Sequence, residues 1–181
     1  VARLDEEARA PATDVRLAPS ATGVLGAWLV AGPFKAARTA LAAAPSGVDE
    51  KKLSPSLGAV VGGGRDLGEG KLRPPARWTI VSSGPPARGA GQDPGRDGSR
   101  TIDLKASLED GGGSELVAYA AGRLHVAKAG RYYLMLGVDD GVRVTVDGAV
   151  VLSRDDARPV REDDDVIPLD LSAGDRDIVL K

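Results

Sequence analysis

The sequence predicts an all-β fold, an antiparallel β-sandwich, and three observations lead there. In residues 142–146 the valines alternate strictly with polar residues. This puts Val142, Val144 and Val146 on one face of a strand and Arg143, Thr145 and Asp147 on the other. Asp147-Gly148 reads as a two-residue type I′ hairpin turn, which needs positive φ at both positions, and residues 149–152 return as the partner strand. Finally, about seven or eight short runs of strand formers, punctuated by Gly and Asp turns, follow one another along the chain.

Composition narrows the class. With 181 residues and a prior of about 150 residues per domain, a single domain with one sizeable core is expected. The formal net charge of −2 gives no general drive toward nucleic acid or an anionic membrane. The absence of cysteine excludes disulfides and thiolate metal sites. No apolar run reaches the length of a bilayer-spanning helix, so no membrane insertion is expected. Aromatics are 3% of residues, so the core must be built mostly of Val, Leu, Ile and Ala. The chain starts without Met and stops within an apparent strand, which reads as a piece of a longer polypeptide.

Taken in order, residues 1–22 read as a linker or N-terminal extension, favoured over a short helix near 4–9, and residues 23–181 as the β domain. Residues 24–34 form a first strand, with Trp28 and Val30 on one face and Leu29 on the other, stopped at Gly32-Pro33 because proline cannot donate to a ladder. Residues 35–44 have the composition of a short helix, ended by Pro45-Ser46-Gly47. Residues 45–77 read as an irregular excursion with one helical turn near 48–53. A strand follows at 77–81, with Trp78 and Ile80 facing the same way. Residues 84–100 read as a mobile surface loop, too poor in apolar residues to offset ordering entropy. Residues 101–104 are short and extended, and 104–108 turn helically. Residues 115–126 form a long strand with a bulge at Gly122, and residues 131–138 another, joined to the hairpin by Asp139-Asp140-Gly141. After a polar loop at 153–165, strands at 166–171 and 176–181 close the domain.

The run GRYYLMLGVDDGVRVTVDGAVV, followed by DVIPLDLSAGDRDIVLK, resembles the second half of PA14-like β-sandwich domains. Trp28-Leu29-Val30-Ala31-Gly32-Pro33-Phe34 is similar to the strand that opens such modules. The resemblance covers residues 24–181 in outline and is specific over 119–181. It implies a jelly-roll-like sandwich serving as an accessory domain beside other domains of one polypeptide, in bacterial proteins that are envelope-associated or secreted. It further implies a non-catalytic role, binding a glycan or spacing neighbouring domains. The alternative is a protein–protein interaction domain with no small-molecule ligand.

Catalytic signatures fail on their own terms. His125 is the only histidine, no Gly-x-Ser-x-Gly accompanies it, and no second histidine is present to share a zinc ion. It reads as a surface or strand-edge residue. The glycine-rich stretch 62–72 lacks phosphate-loop spacing, with Arg65 where glycine is required and Leu72 where Ser or Thr would hold magnesium. The acidic loop is the remaining candidate. Asp155, Asp156, Glu162, Asp163, Asp164 and Asp165 stand against Arg154, Arg158 and Arg161. Folded back over Asp139-Asp140, the loop would gather enough oxygens for calcium. Sugar-binding relatives in the PA14 superfamily use an adjacent Asp-Asp pair, joined by a cis peptide, to hold calcium and sugar hydroxyls. The resemblance therefore implies Asp139 and Asp140 as calcium and ligand-binding residues, with a second acidic loop that is either Asp163–Asp165 or Asp155-Asp156. Asp163 and Asp164 are the further metal ligands expected, and Tyr132 the further ligand-binding residue. Two structural readings stand beside it. Asp139 and Asp140 would cap their own turn, and the Asp/Arg loop would be solvated and self-paired. Tyr132 and Tyr133 point to opposite faces, leaving one exposed, with Tyr119 as a potential companion.

Overall fold

Val142, Val144 and Val146 are buried, Val144 completely, and the strand carrying them lies inside a large sheet. The computed structural model describes residues 16–17, 25–36, 41–66, 72–82, 102, 104–108 and 115–181. In chain order the strands are β1 (Arg16–Leu17), β2 (Ala27–Lys35), β3 (Val60–Val61), β4 (Arg65–Asp66), β5 (Leu72–Arg73), β6 (Ala76–Arg77) and β7 (Thr79–Ser82). After α1 (Leu104–Ser107) come β8 (Leu116–Val126), β9 (Gly130–Leu136), β10 (Val142–Val146), β11 (Ala149–Arg154), β12 (Asp165–Leu171) and β13 (Gly174–Leu180). The chain is all-β. Its main sheet runs β11-β10-β13-β8-β2-β7, with β1 added to β8. Every pairing in this sheet is antiparallel except β1 with β8, so two residues of the stretch read as a linker lie in the sheet.

One face of the sheet is apolar and mostly aliphatic. Trp28 and Val30 of β2, the three β10 valines and Ile178 of β13 share a core with Ile167, Leu169 and Leu171 of β12. Strand β12 pairs with β9 in a separate two-stranded ribbon. Thus β9 pairs with β12, not with its sequence neighbour β10, and residues 137–141 carry the chain from one sheet to the other. The opposite face buries Leu29, Ala31, Tyr119 and Ala121 against Val48, Val61, Ala76 and Trp78. The excursion at 45–78 therefore has a core of its own against the sheet.

Several local expectations give way to packing. Pro33 does not end the first strand. The strand runs on to Lys35, and the β2–β8 register shifts between Ala31 and Phe34, so proline sits where the ladder is already interrupted. The carbonyls of Gly32 and Pro33 accept hydrogen bonds from Arg65 Nη1, at 3.2 and 3.0 Å. Bulges therefore lie here and in the β10–β11 ladder, where the register shifts between Val144 and Thr145, and not at Gly122, which pairs in unbroken register with Ile178. The helix at 35–44 does not form over its described residues. Lys35 belongs to β2, which pairs with β8, and residues 41–44 turn and bend; 37–40 lie outside the described residues. Trp78 and Ile80 part company: Trp78 is buried, its N–H donating to Ala59 O at 2.9 Å, whereas Ile80, beyond the break between β6 and β7, is 45% exposed. The helical turns near 48–53 and 104–108 are present as a 3-10 turn, Glu50–Lys52, and as α1, so Leu104 opens a helix instead of closing a strand. The loop at 84–100 and the helix near 4–9 lie outside the described residues.

Candidate functional site

Strand alternation sends Arg143 and Thr145 of β10, Tyr119, Ala121 and Arg123 of β8, and Asp177 and Val179 of β13 to the side away from the valine core. Above them stands the Glu50–Lys52 turn, capped by Asp49, whose carboxylate accepts from Lys51 N at 3.1 Å. Val48 and Leu53 anchor its flanks in the second core. This points Glu50 at the sheet. Glu50 Oε1 accepts from Tyr119 OH at 2.8 Å and lies 2.8 Å from Lys181 Nζ, while Oε2 pairs with Arg143 Nη2. Lys181 Nζ, on a side chain 2% exposed, also donates to Ala43 O. The backbones of Lys181 and Arg143 exchange two hydrogen bonds of 2.8 and 2.9 Å, which fixes both side chains at one end of the sheet.

Burial alone would raise the Glu50 carboxyl, but hydrogen bonds from Lys181, Tyr119 and Arg143 outweigh it and hold the group below the usual carboxylate range. Burial pushes Lys181 below its ordinary value despite Glu50. Burial and the Glu50 charge push the Tyr119 phenol up, so it stays a donor. One carboxylate thus ties a distant turn to two strands and to the residue that follows a third.

Beside this network lies a cleft of about 620 Å³, walled by Lys51, Leu53 and Pro55 on one side and by Gly148 and Val150 on the other. Ala121, Thr145 and Val179 form part of its floor, and the far end carries two ion pairs. Arg123 meets Asp177 at 2.8 Å and Arg176 meets Asp147 at 3.0 Å. Asp147 also accepts from Asp177 N at 2.9 Å. With φ of 49° at Asp147 and 79° at Gly148, the hairpin turn is the expected one. The lining mixes apolar surface with oriented donors and acceptors.

The residues singled out from the sequence lie elsewhere. The acidic loop does fold back over residues 137–141: Asp140 N donates to Arg158 O at 3.2 Å, and a Cβ on Gly137 would stand 1.7 Å from Arg161 O. Arginines take up its charge. Asp165 pairs with Arg154 at 2.9 Å and Arg158 at 2.6 Å, Asp164 pairs with Arg158 at 2.8 Å, and Asp156 pairs with Arg154. Among the described residues no group of three or more His, Asp or Glu is placed to share a metal ion. Asp139 and Asp140 are exposed and their connecting peptide is trans. Their carboxylates accept no hydrogen bond from the described residues, so they do not cap their turn.

Tyr132 and Tyr133 are both exposed, correcting the expectation that only one would be, and Tyr132 OH donates to Lys128 O. Tyr119 joins neither; it is core. On the outer face of the β9–β12 ribbon, Tyr133, Met135, Val166 and Pro168 form an exposed apolar strip. His125 is an exposed strand residue, its Nδ1 2.7 Å from Asp175 Oδ1. Arg65, in the stretch with the failed phosphate-loop spacing, spends its guanidinium on the carbonyls of Gly32, Pro33 and Pro74.

Sequence reasoning missed Glu50, Tyr119, Arg143 and Lys181 as a unit. Alternation placed Arg143 on the polar face, but no local signal joins it to Glu50, 93 residues away in sequence. Comparison with protein-family models, curated proteins and solved structures finds no match.

Proposed function

We propose that this chain is a non-catalytic recognition module of the PA14-like kind, serving a larger bacterial envelope or secreted protein, and that it takes a saccharide in the cleft beside Glu50. The lining of that cleft carries the reading. Pyranose rings present apolar C–H faces and in-plane hydroxyls. Ala121 and Val179 offer apolar floor, while the Arg123–Asp177 and Arg176–Asp147 pairs hold donors and acceptors in fixed directions. A binding role fits better than catalysis because the lining carboxylates are already engaged: Glu50 by three donors, Asp177 by Arg123, and Asp147 by Arg176 and a backbone N–H. A general base needs a lone pair aimed at substrate.

The test is amide chemical-shift mapping with a panel of neutral and acidic oligosaccharides, with and without calcium. Shifts clustering at Ala121, Thr145, Val150 and Val179 are the expected result. Shifts clustering at Asp139 and Asp140, and only with calcium, would move the site to the acidic loop. A panel without any binder would leave the exposed β9–β12 strip as the surface to pursue with protein partners.

A further inference from the structure

We infer that the saccharide held by the cleft is anionic, with a carboxylate seated at Arg143; this rests on the cleft reading above and adds the ligand's charge to it. Charge balance and unused donors both point to Arg143. At the Glu50 end, three cationic side chains line the cleft, those of Lys51, Arg143 and Lys181, against the single carboxylate of Glu50. Both Glu50 oxygens are already committed, Oε1 to Tyr119 and Lys181, Oε2 to Arg143. The nearest other carboxylates lining the cleft, Asp147 and Asp177, are matched at its far end by Arg176 and Arg123. Thr145 brings no negative charge, and its hydroxyl is occupied, donating to Val179 O.

Arg143 is the group with capacity left. Its side chain is 16% exposed, and Nη2 is held by Glu50. Among the described residues its Nε and Nη1 make no hydrogen bond. A planar guanidinium immobilised on one side and open on the other is suited to a carboxylate, because part of the ordering cost is met before the ligand arrives. The half-buried setting weakens screening and so strengthens the attraction. Lys51 stands on the cleft wall above, exposed and without an ion-pair partner among the described residues, where it adds attraction over a longer range. The lining continuing from Arg143 past Thr145 and Val179 to the Arg123–Asp177 pair is longer than a small inorganic anion needs, which favours a carboxylate carried on a sugar chain.

The experiment compares uronate trimers (galacturonate, glucuronate and mannuronate) with their methyl esters, which keep the rings and remove the charge. One uronate is expected to bind with its ester weaker by about tenfold or more, the usual scale for a charge-assisted hydrogen bond. Arg143→Met should remove that preference, so that acid and ester bind alike. Since Arg143 also holds Glu50, Lys51→Gln is the companion variant. It keeps the network intact and should weaken uronate binding about twofold to threefold at low salt, with the effect vanishing as salt rises. If acid and ester bind equally, or if uronate binding ignores both substitutions, the anionic assignment is overturned while a neutral saccharide in the cleft still stands. If no uronate, ester or neutral trimer binds, the cleft reading falls as well.

Discussion

The two faces of β10 meet burial in opposite ways. Val142, Val144 and Val146 are sealed among aliphatic side chains from β2, β12 and β13. One residue out of step, Arg143 is only partly enclosed, and it is charged and held by Glu50 from a turn outside the sheet. The dry face needs only apolar partners of suitable shape, and many residues supply them. The polar face needs one particular carboxylate in one place. A valine core is therefore robust to where its partners come from, whereas the charged network depends on every member.

The largest expected effect breaks the dry face. Val144→Asp buries an unpaired charge and should cost about 3–5 kcal/mol or more, enough to abolish folding. Thr145→Val, next along the strand on the other face, should leave the fold intact. A folded Val144→Asp protein with unchanged thermal melting would show that the register is wrong.

Next comes the polar face. Glu50→Gln leaves Arg143 and Lys181 without their counter-charge and should destabilise the chain by about 2–3 kcal/mol at neutral pH, read by urea unfolding. The effect has a sign in pH. The Glu50 carboxyl is held below its ordinary value of 4.5, so its contribution is full above 4.5 and is lost as pH falls through the lower, folded value. Wild type and Glu50→Gln should converge in acid. On the alkaline side Lys181 gives up its proton more readily in the folded chain, so it adds stability as pH climbs toward 10.5. A constant gap between wild type and Glu50→Gln across the acid range would remove Glu50 from the account.

A smaller effect sharpens the comparison away from both faces. Gly137→Ala would force the 155–164 loop off residue 137, because the new Cβ meets a backbone carbonyl. The expected cost is about 1–3 kcal/mol. An unshifted melting curve would mean the loop is not docked there.

What was legible in the sequence follows the same division. The β10–β11 hairpin could be read because alternation and turn chemistry are local, and the split of Trp28 and Val30 from Leu29 could be read for the same reason. The alanine-rich stretch after Lys35 has helical propensity, but Lys35 itself is claimed by pairing with β8, a tertiary contact that propensity does not see. Pro33 does not end its strand because the ladder is already interrupted by a bulge there, where Arg65, far along the chain, donates to the carbonyls of Gly32 and Pro33. Asp139 and Asp140 stand out because they are neighbours in sequence, whereas Glu50 lies in an excursion dense in glycine and proline. Its meaning lies entirely in Tyr119, Arg143 and Lys181, which reach it from two strands and the residue after a third, all distant in the sequence.

The strand order also bears on how the chain finds its fold. In the large sheet only β10 and β11 are joined by a tight turn; Leu29 must find Ala121, and Val146 must find Ile178. Loop-closure entropy opposes each such meeting before any contact rewards it, so a sheet of this wiring has a high contact order and assembles slowly compared with a helical bundle of equal length. The hairpin is the one piece of the sheet that can form without waiting for a distant partner. The valine face can begin to gather there, while the charged face stays open until Glu50 arrives from the far side of the sequence.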